Sequence, residues 1–255
     1  MTKELLKEGL FLLKENGGEI PCGDLNHVLD KLERYIAEIE LFNPAYKLVG
    51  TNDRKELIVR HILDSLSGLG VINRLASLRA APSRAETDIA IADAGSGAGL
   101  PGIPLAISMP RCHFTLIERM GRRAGFLNST LAALGIQNVT IEEKEIEKAA
   151  PNRFDVITFR AFKPLDRRTL KSLFRLLTQN GVLAAYKGRR DAIEKEFALL
   201  ETSFKTPPSG ERESAIDTAT SAIAEWEIIR VSTPFLEEER HIVVIPRDRA
   251  AGRQP

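Results

Sequence analysis

The stretch IADAGSGAGLPGIPLAI, residues 91–107, constrains the fold more than any other part of the chain. Gly95, Gly97, Gly99, Pro101, Gly102 and Pro104 crowd together, yet apolar runs lead in and out. A core segment gains nothing from so many backbone breakers unless something must approach the backbone closely. The pattern predicts a buried strand, a ligand-binding turn and then a helix.

The flanking sequence supplies a frame for such a turn. HFTLIE (113–118), NVTIEE (138–143), FDVITF (154–159) and GVLAAYK read as strands. Between them, 122–135 reads as a helix with Phe126, Leu127, Thr130, Leu131 and Leu134 inward. Residues 165–181 read as a helix stopped by Gly181, and DAIEKEFALLETSF as another. IAEWEIIRV and RHIVVI are two late strands with no long helix between them, so an antiparallel hairpin at the sheet edge is expected. Strands alternating with helices predict an α/β fold, a doubly wound and mostly parallel sheet. Ligands of such sheets bind at the carboxyl ends of the strands, near the switch in strand order. The glycine-rich turn follows the first strand and falls there.

The first third is helical in pattern. Leu25, Val28, Leu29, Leu32, Ile36 and Ile39 share one helical face, with Asp24 as N-cap and Gly17-Gly18 closing the helix before. A second face carries Leu57, Ile58, His61, Ile62, Ser65 and Leu66. The polar break RAAPSRAET (79–87) is the candidate linker. The expected division is an N-terminal helical region, 1–87, and a ligand-binding core, 88–250, together making one compact unit.

The 255 residues carry a formal net charge of +1, so any surface for a polyanion has to be local. Cys22 and Cys112 form no CxxC, which argues against a disulfide framework or a zinc site. No apolar run approaches the roughly 18 residues of a membrane span. The N-terminus has no signal-peptide layout. A cytoplasmic protein with no membrane partner and no metal is the expectation.

The turn reads Gly95-Ser-Gly97-Ala-Gly99-Leu100, GxGxG with Leu where the dinucleotide fingerprint wants glycine. Pro101 and Pro104 remove donors beside the first helical turn. That suits a diphosphate poorly and suits S-adenosyl-L-methionine, which has an amino-acid tail and no phosphate. Glu118 ends the second strand, where an acid can accept both ribose hydroxyls. NAD sites use the same device, so Glu118 marks an adenosine ribose only.

RHILDSL (60–66), ADAGSGAGLPGIPLAI, FTLIE, FDVITFRAF and AAYKG occur in one order over about 42–190. In these the chain resembles the glucose-inhibited division protein B family, Rossmann-like class I methyltransferases of bacteria that modify guanine N7 in 16S ribosomal RNA. The resemblance implies S-adenosyl-L-methionine as cofactor and 16S ribosomal RNA or the small ribosomal subunit as partner. It places the cofactor residues on Gly95, Leu100 and Glu118. The adenine-contacting pair falls on Ile146-Glu147, and the strand-end arginine on Arg160. Where the family has a small residue and Arg before that pair, this chain has Lys144-Glu145, which leaves the register open.

Methyl transfer to guanine N7 asks little of side chains, because N7 has a lone pair and loses no proton; positioning supplies the rate. The Pro-Cys pair Pro21-Cys22 precedes the glycine turn, and none follows it to attack a pyrimidine ring. NPAY (43–46) resembles an amino-methyltransferase box but precedes the glycine turn, and reads as a helix-end turn. Arg160 is the candidate orienting residue, toward the methionine carboxylate or guanine O6. His61 reads as a core histidine or a post beside the cofactor. Basic residues cluster at 158–175, at 187–190 and at 119–123. Arg123, Arg160, Lys163 and Lys187 are the RNA-binding candidates on the resulting rim. Two readings compete: a non-enzymatic RNA-binding or assembly protein on a Rossmann fold, and a NAD(P)-dependent oxidoreductase, against which Leu100 argues.

Overall fold

The computed structural model describes residues 2–15, 24–79, 89–160, 165–205 and 226–247. Gly17-Gly18, most of the 79–87 linker and Lys163 lie outside them.

Seven strands form one sheet: β1 (Ala90–Ala94), β2 (His113–Glu118), β3 (Val139–Glu143), β4 (Phe154–Arg160), β5 (Leu177–Lys187), β6 (Glu227–Val231) and β7 (Arg240–Pro246). Their order is β3-β2-β1-β4-β5-β7-β6. The first five run parallel, while β7 is antiparallel to both β5 and β6. The sheet is therefore doubly wound with an antiparallel edge hairpin, as the strand pattern predicted. The order reverses between β1 and β4, so the turn after β1 and the end of β4 flank the switch point.

Successive strand residues point to opposite faces. Ile91, Val156, Ala184 and Ile242 join one core cluster, while their neighbours Ala92, Ile157, Ala185 and Val243 join another. The first face is covered by α1 (Thr2–Glu15), α2 (Leu25–Tyr46), α5 (Leu69–Arg79), α6 (Gly102–Ser108) and α7 (Gly121–Leu134). The second is covered by α8 (Arg167–Leu176) and α9 (Arg190–Lys205). The N-terminal helices thus share their core with the sheet. Asp24 caps α2, its carboxylate accepting from Asn26 N at 2.9 Å.

Two elements differ from the sequence pattern. The helical face carrying Leu57 to Leu66 is not uniform: α3 (Arg54–Leu57) passes into a π-helical turn, Ile58–Leu63, then α4 (Asp64–Ser67). A π turn this short shifts the apolar face over too few residues for periodicity to reveal it. The helix expected to reach Gly181 ends at Leu176, and Thr178–Gly181 belong to β5. There Phe154 pairs with Leu177 and Val156 with Val182, so β5 bulges. Gly181 sits where a Cβ would come within 2.9 Å of the Phe154 carbonyl oxygen, so it serves close backbone approach within a strand, not a helix stop.

Candidate functional site

The turn after β1 is held by its own hydrogen bonds. Gly95 N and Ser96 N donate to Ile117 O, Gly99 N and Leu100 N to Ser96 O, and Ile103 N to Gly99 O. Gly97 N donates to Glu118 Oε2 at 2.9 Å, and Gly102 N to Asp93 Oδ2 at 3.0 Å. These N–H groups are spent inside the protein, and Pro101 has none. A diphosphate, which needs free backbone donors, finds few here. Gly95 has φ of 70° and lines a cleft of about 760 Å³. Gly99, at φ 90°, serves packing: a Cβ there would lie 2.6 Å from Ile103 Cδ1 and 2.9 Å from Leu127 Cδ2.

Glu118 lines the same cleft and is almost fully buried. Its Oε2 accepts from Gly97 N, and its Oε1 from Met120 N at 2.8 Å. Each oxygen keeps a lone pair, so a rigidly held carboxylate still has acceptors for two hydroxyls. Ile146 and Glu147, on the short 3₁₀ turn after β3, line the cleft beside Lys144 and Glu145. Arg123 lines it from α7 and Arg160 from the end of β4.

Leu100, on the same turn, has its side chain buried in the core cluster, and it is not among the residues lining this cleft. Lys187 differs from a free phosphate contact. Its Nζ lies 2.7 and 2.8 Å from the two carboxylate oxygens of Glu196, tethering β5 to α9. The basic rim is likewise broken up. Arg175 donates to the carbonyls of Ile146, Glu147 and Ala149, Arg167 lies over the Phe204 ring, and Arg189 pairs with Asp191. Arg119, Arg123 and Arg168 remain on the cleft. Asn43 of NPAY ties down the following loop, donating to Thr51 O and Asn52 Oδ1 and accepting from Val49 N.

Arg160 is shared between two clefts. The second, about 490 Å³, is lined by His61, Asp64, Arg160, Tyr186, Arg240 and His241 among others. Arg160 Nη1 donates to Asp64 Oδ2 at 3.0 Å and to His61 O at 3.3 Å, with Nη2 3.5 Å from His61 Nδ1. Burial, helped by the adjacent Arg160 charge, pushes His61 down to about 4, so its ring is neutral near pH 7. A guanidinium only donates, so Nδ1 facing it is the acceptor and Nε2 carries the proton. Asp64, Tyr186, Arg240 and His241 lie in stretches the sequence singled out, but nothing local showed that a helix and the ends of β5 and β7 bring them to one cleft.

Buried Asp93 at the end of β1 is pushed up to about 7 by desolvation, opposed by the Gly102 N–H. Its Oδ1 has no hydrogen-bond partner among the described residues. An N–H-poor glycine turn and an anchored carboxylate that keeps acceptor sites on the cleft fit a ligand with ribose hydroxyls and no diphosphate, such as S-adenosylmethionine. Among the described residues no group of three His, Cys, Asp or Glu could hold a metal ion, and no helix is long and apolar enough to cross a membrane.

The model of the family described as rRNA small subunit methyltransferase G matches residues 28–207. The chain belongs to that family. The rRNA small subunit methyltransferase G of Treponema denticola is 34% identical, covering 97% of each chain. Its counterpart in Treponema pallidum is 37% identical over 88% of this chain and 87% of that one, and that of Cronobacter sakazakii 32% over 93% and 96%. The crystal structure of the CurJ carbon methyltransferase shares the fold, with a TM-score of 0.52 at 14% identity over 95% of this chain and 71% of that one. In the methyltransferase G family frame, the glycine turn, Glu118 and Arg160 stand at the switch point of a Rossmann-like sheet.

Proposed function

We propose that this protein transfers a methyl group from S-adenosylmethionine to N7 of a guanine in 16S ribosomal RNA. The observation that carries the reading is the cleft at the switch point: Glu118 offers acceptors there, while the glycine turn has spent its N–H groups. Gly95, Glu118, Ile146 and Glu147 would hold the cofactor, and Arg160 would stand where the methyl group is delivered. When bound, the cofactor supplies an electrophilic methyl on a sulfonium sulfur.

The residues present match an alkylation that needs no base. Guanine N7 has a lone pair and no proton to lose, so the protein's work is to orient the base and exclude water. The second cleft, on the far side of Arg160, offers mostly donors: the guanidinium groups of Arg160 and Arg240 and the Nε2–H of neutral His61. Guanine presents acceptors at O6 and N7 on this edge, whereas adenine presents an amino group at the position of O6. A donor-lined cleft therefore favours guanine. Arg119, Arg123 and Arg168 would steer the RNA backbone toward the clefts. The RNA would be met in the cytoplasm, as 16S ribosomal RNA or within the small subunit.

The test is labelled methyl transfer to 16S ribosomal RNA from cells lacking this protein, followed by mapping of the labelled base. Label at guanine N7 is expected. A thermal-shift panel separates the competing readings: S-adenosylmethionine should raise the melting temperature and NAD or NADP should not. Cofactor binding with no transfer to any RNA would favour a non-enzymatic assembly protein.

A further inference from the structure

The carboxylate of Asp64 joins three parts of the chain that lie far apart in sequence. It follows the π-helical turn and is 8% exposed. Its Oδ2 accepts from Arg160 Nη1 at 3.0 Å, and its Oδ1 from Arg240 Nε at 2.6 Å. Arg160 ends β4 and Arg240 begins β7. These two strands are separated in the sheet by β5, whose Tyr186 hydroxyl donates to Ser65 O at 2.7 Å, one residue beyond Asp64. The helix segment is thus pinned across three strand ends. His61, in the π turn, meets the same arginine, its carbonyl also accepting from Arg160 Nη1 at 3.3 Å.

Two guanidinium groups facing one cleft repel unless an anion lies between them. A buried carboxylate that divides its oxygens between both is the arrangement that holds them in fixed directions. Lysine or a single ion pair would not fix the planes. Arg160 separates the cofactor cleft from the second cleft, so its direction sets the line along which the two can communicate.

We infer that Asp64 is a positioning residue for methyl transfer, holding Arg160 and Arg240 as the shared wall between the cofactor cleft and the cleft that receives the base. The inference rests on the proposed methyl-transfer reading. Asp64 acts through the two arginines, since both its oxygens are committed to them.

The test measures methylation of 16S ribosomal RNA by wild type, Asp64→Asn, Asp64→Glu, Arg160→Ala and the Asp64→Asn/Arg160→Ala double variant. Circular dichroism and S-adenosylmethionine affinity are followed in parallel. Asp64→Asn should lower kcat roughly 100-fold, the scale of a misplacement of about 1 Å. Its cofactor Kd should stay within about threefold of wild type, which separates it from a variant that fails to fold. Asp64→Glu keeps the charge and folds, but moves the carboxylate, and should still lose about tenfold in kcat. The losses in the double variant should be less than additive, because the part of the Asp64 effect that runs through Arg160 is already gone in Arg160→Ala, leaving only the part that runs through Arg240. If Arg160→Ala falls below detection, the guanidinium NMR signal of Arg160 replaces the cycle: it should exchange slowly in wild type and fast in Asp64→Asn. Wild-type kcat in both Asp64 variants, losses that simply add in the double variant, or an Arg160 signal unchanged by Asp64→Asn would overturn the role. A wild-type protein that methylates no RNA would overturn the methyl-transfer reading, and the Asp64 role with it.

Discussion

Glu118 is held by one N–H bond to each oxygen, from Gly97 in the glycine turn and from Met120 ahead of α7, and it lines the cleft where the ribose is proposed to bind. Glu118→Gln removes the charge and turns one acceptor into a donor that faces a backbone N–H. Cofactor affinity should weaken by about 1.5–3 kcal/mol, read by calorimetry. Asp93 titrates in the opposite sense from most acids. Its folded value of about 7 lies above its ordinary 3.8, so the native state keeps a proton that the unfolded chain releases between those pH values. Its contribution to stability is complete below about pH 4 and is lost as pH rises through 7. The melting temperature should therefore fall from pH 5 to pH 8, and Asp93→Asn should flatten that slope in a calorimetric series. Glu118 was legible from its place at a strand end after a glycine turn. The burial of Leu100 was not legible, because sequence shows that a residue is apolar, not which way a turn folds it. The Asp64 clamp was hidden for another reason: Asp64 is 96 residues from Arg160 and 176 from Arg240, and no local pattern encodes such a meeting.

At the scale of elements, α2 does more than cover the sheet. The buried Tyr35 hydroxyl donates to Ala98 O, inside the glycine turn, at 2.6 Å. This latch joins the N-terminal helices to the cofactor turn. Tyr35→Phe should cost about 1–2 kcal/mol in urea unfolding, because it leaves a buried carbonyl unpaired. The strands and helices between 89 and 160 were readable because apolar runs and periodic faces alternate cleanly there. The π-helical turn and the β5 bulge were not, since each adds residues without changing which of them are apolar. Both irregularities follow from tertiary demands, one at the Arg160 wall and one at the Phe154 carbonyl.

Across the whole molecule, the sheet face containing Ile91, Phe114, Leu116 and Val156 belongs to the same core as Leu6, Leu10, Leu32, Ile36 and Ile62. We propose that the 1–87 region and the sheet are one folding unit. Deleting residues 1–87 should give an insoluble chain or one without a cooperative melting transition, checked by circular dichroism; a stable, cofactor-binding fragment would show the regions to be independent.

The last strand of the sheet has a consequence for a protein still being made. The cofactor cleft draws on the turn after β1, on β2, β4 and the start of α8, all finished before residue 177. The second cleft needs Arg240 and His241 of β7, a strand that follows every residue lining the cofactor cleft in sequence and inserts between β5 and β6. A chain cut short before β7 lacks the Arg240 half of the Asp64 clamp. Translation therefore finishes the first cleft well before the second. A chain stalled between them carries every residue of one and only part of the other.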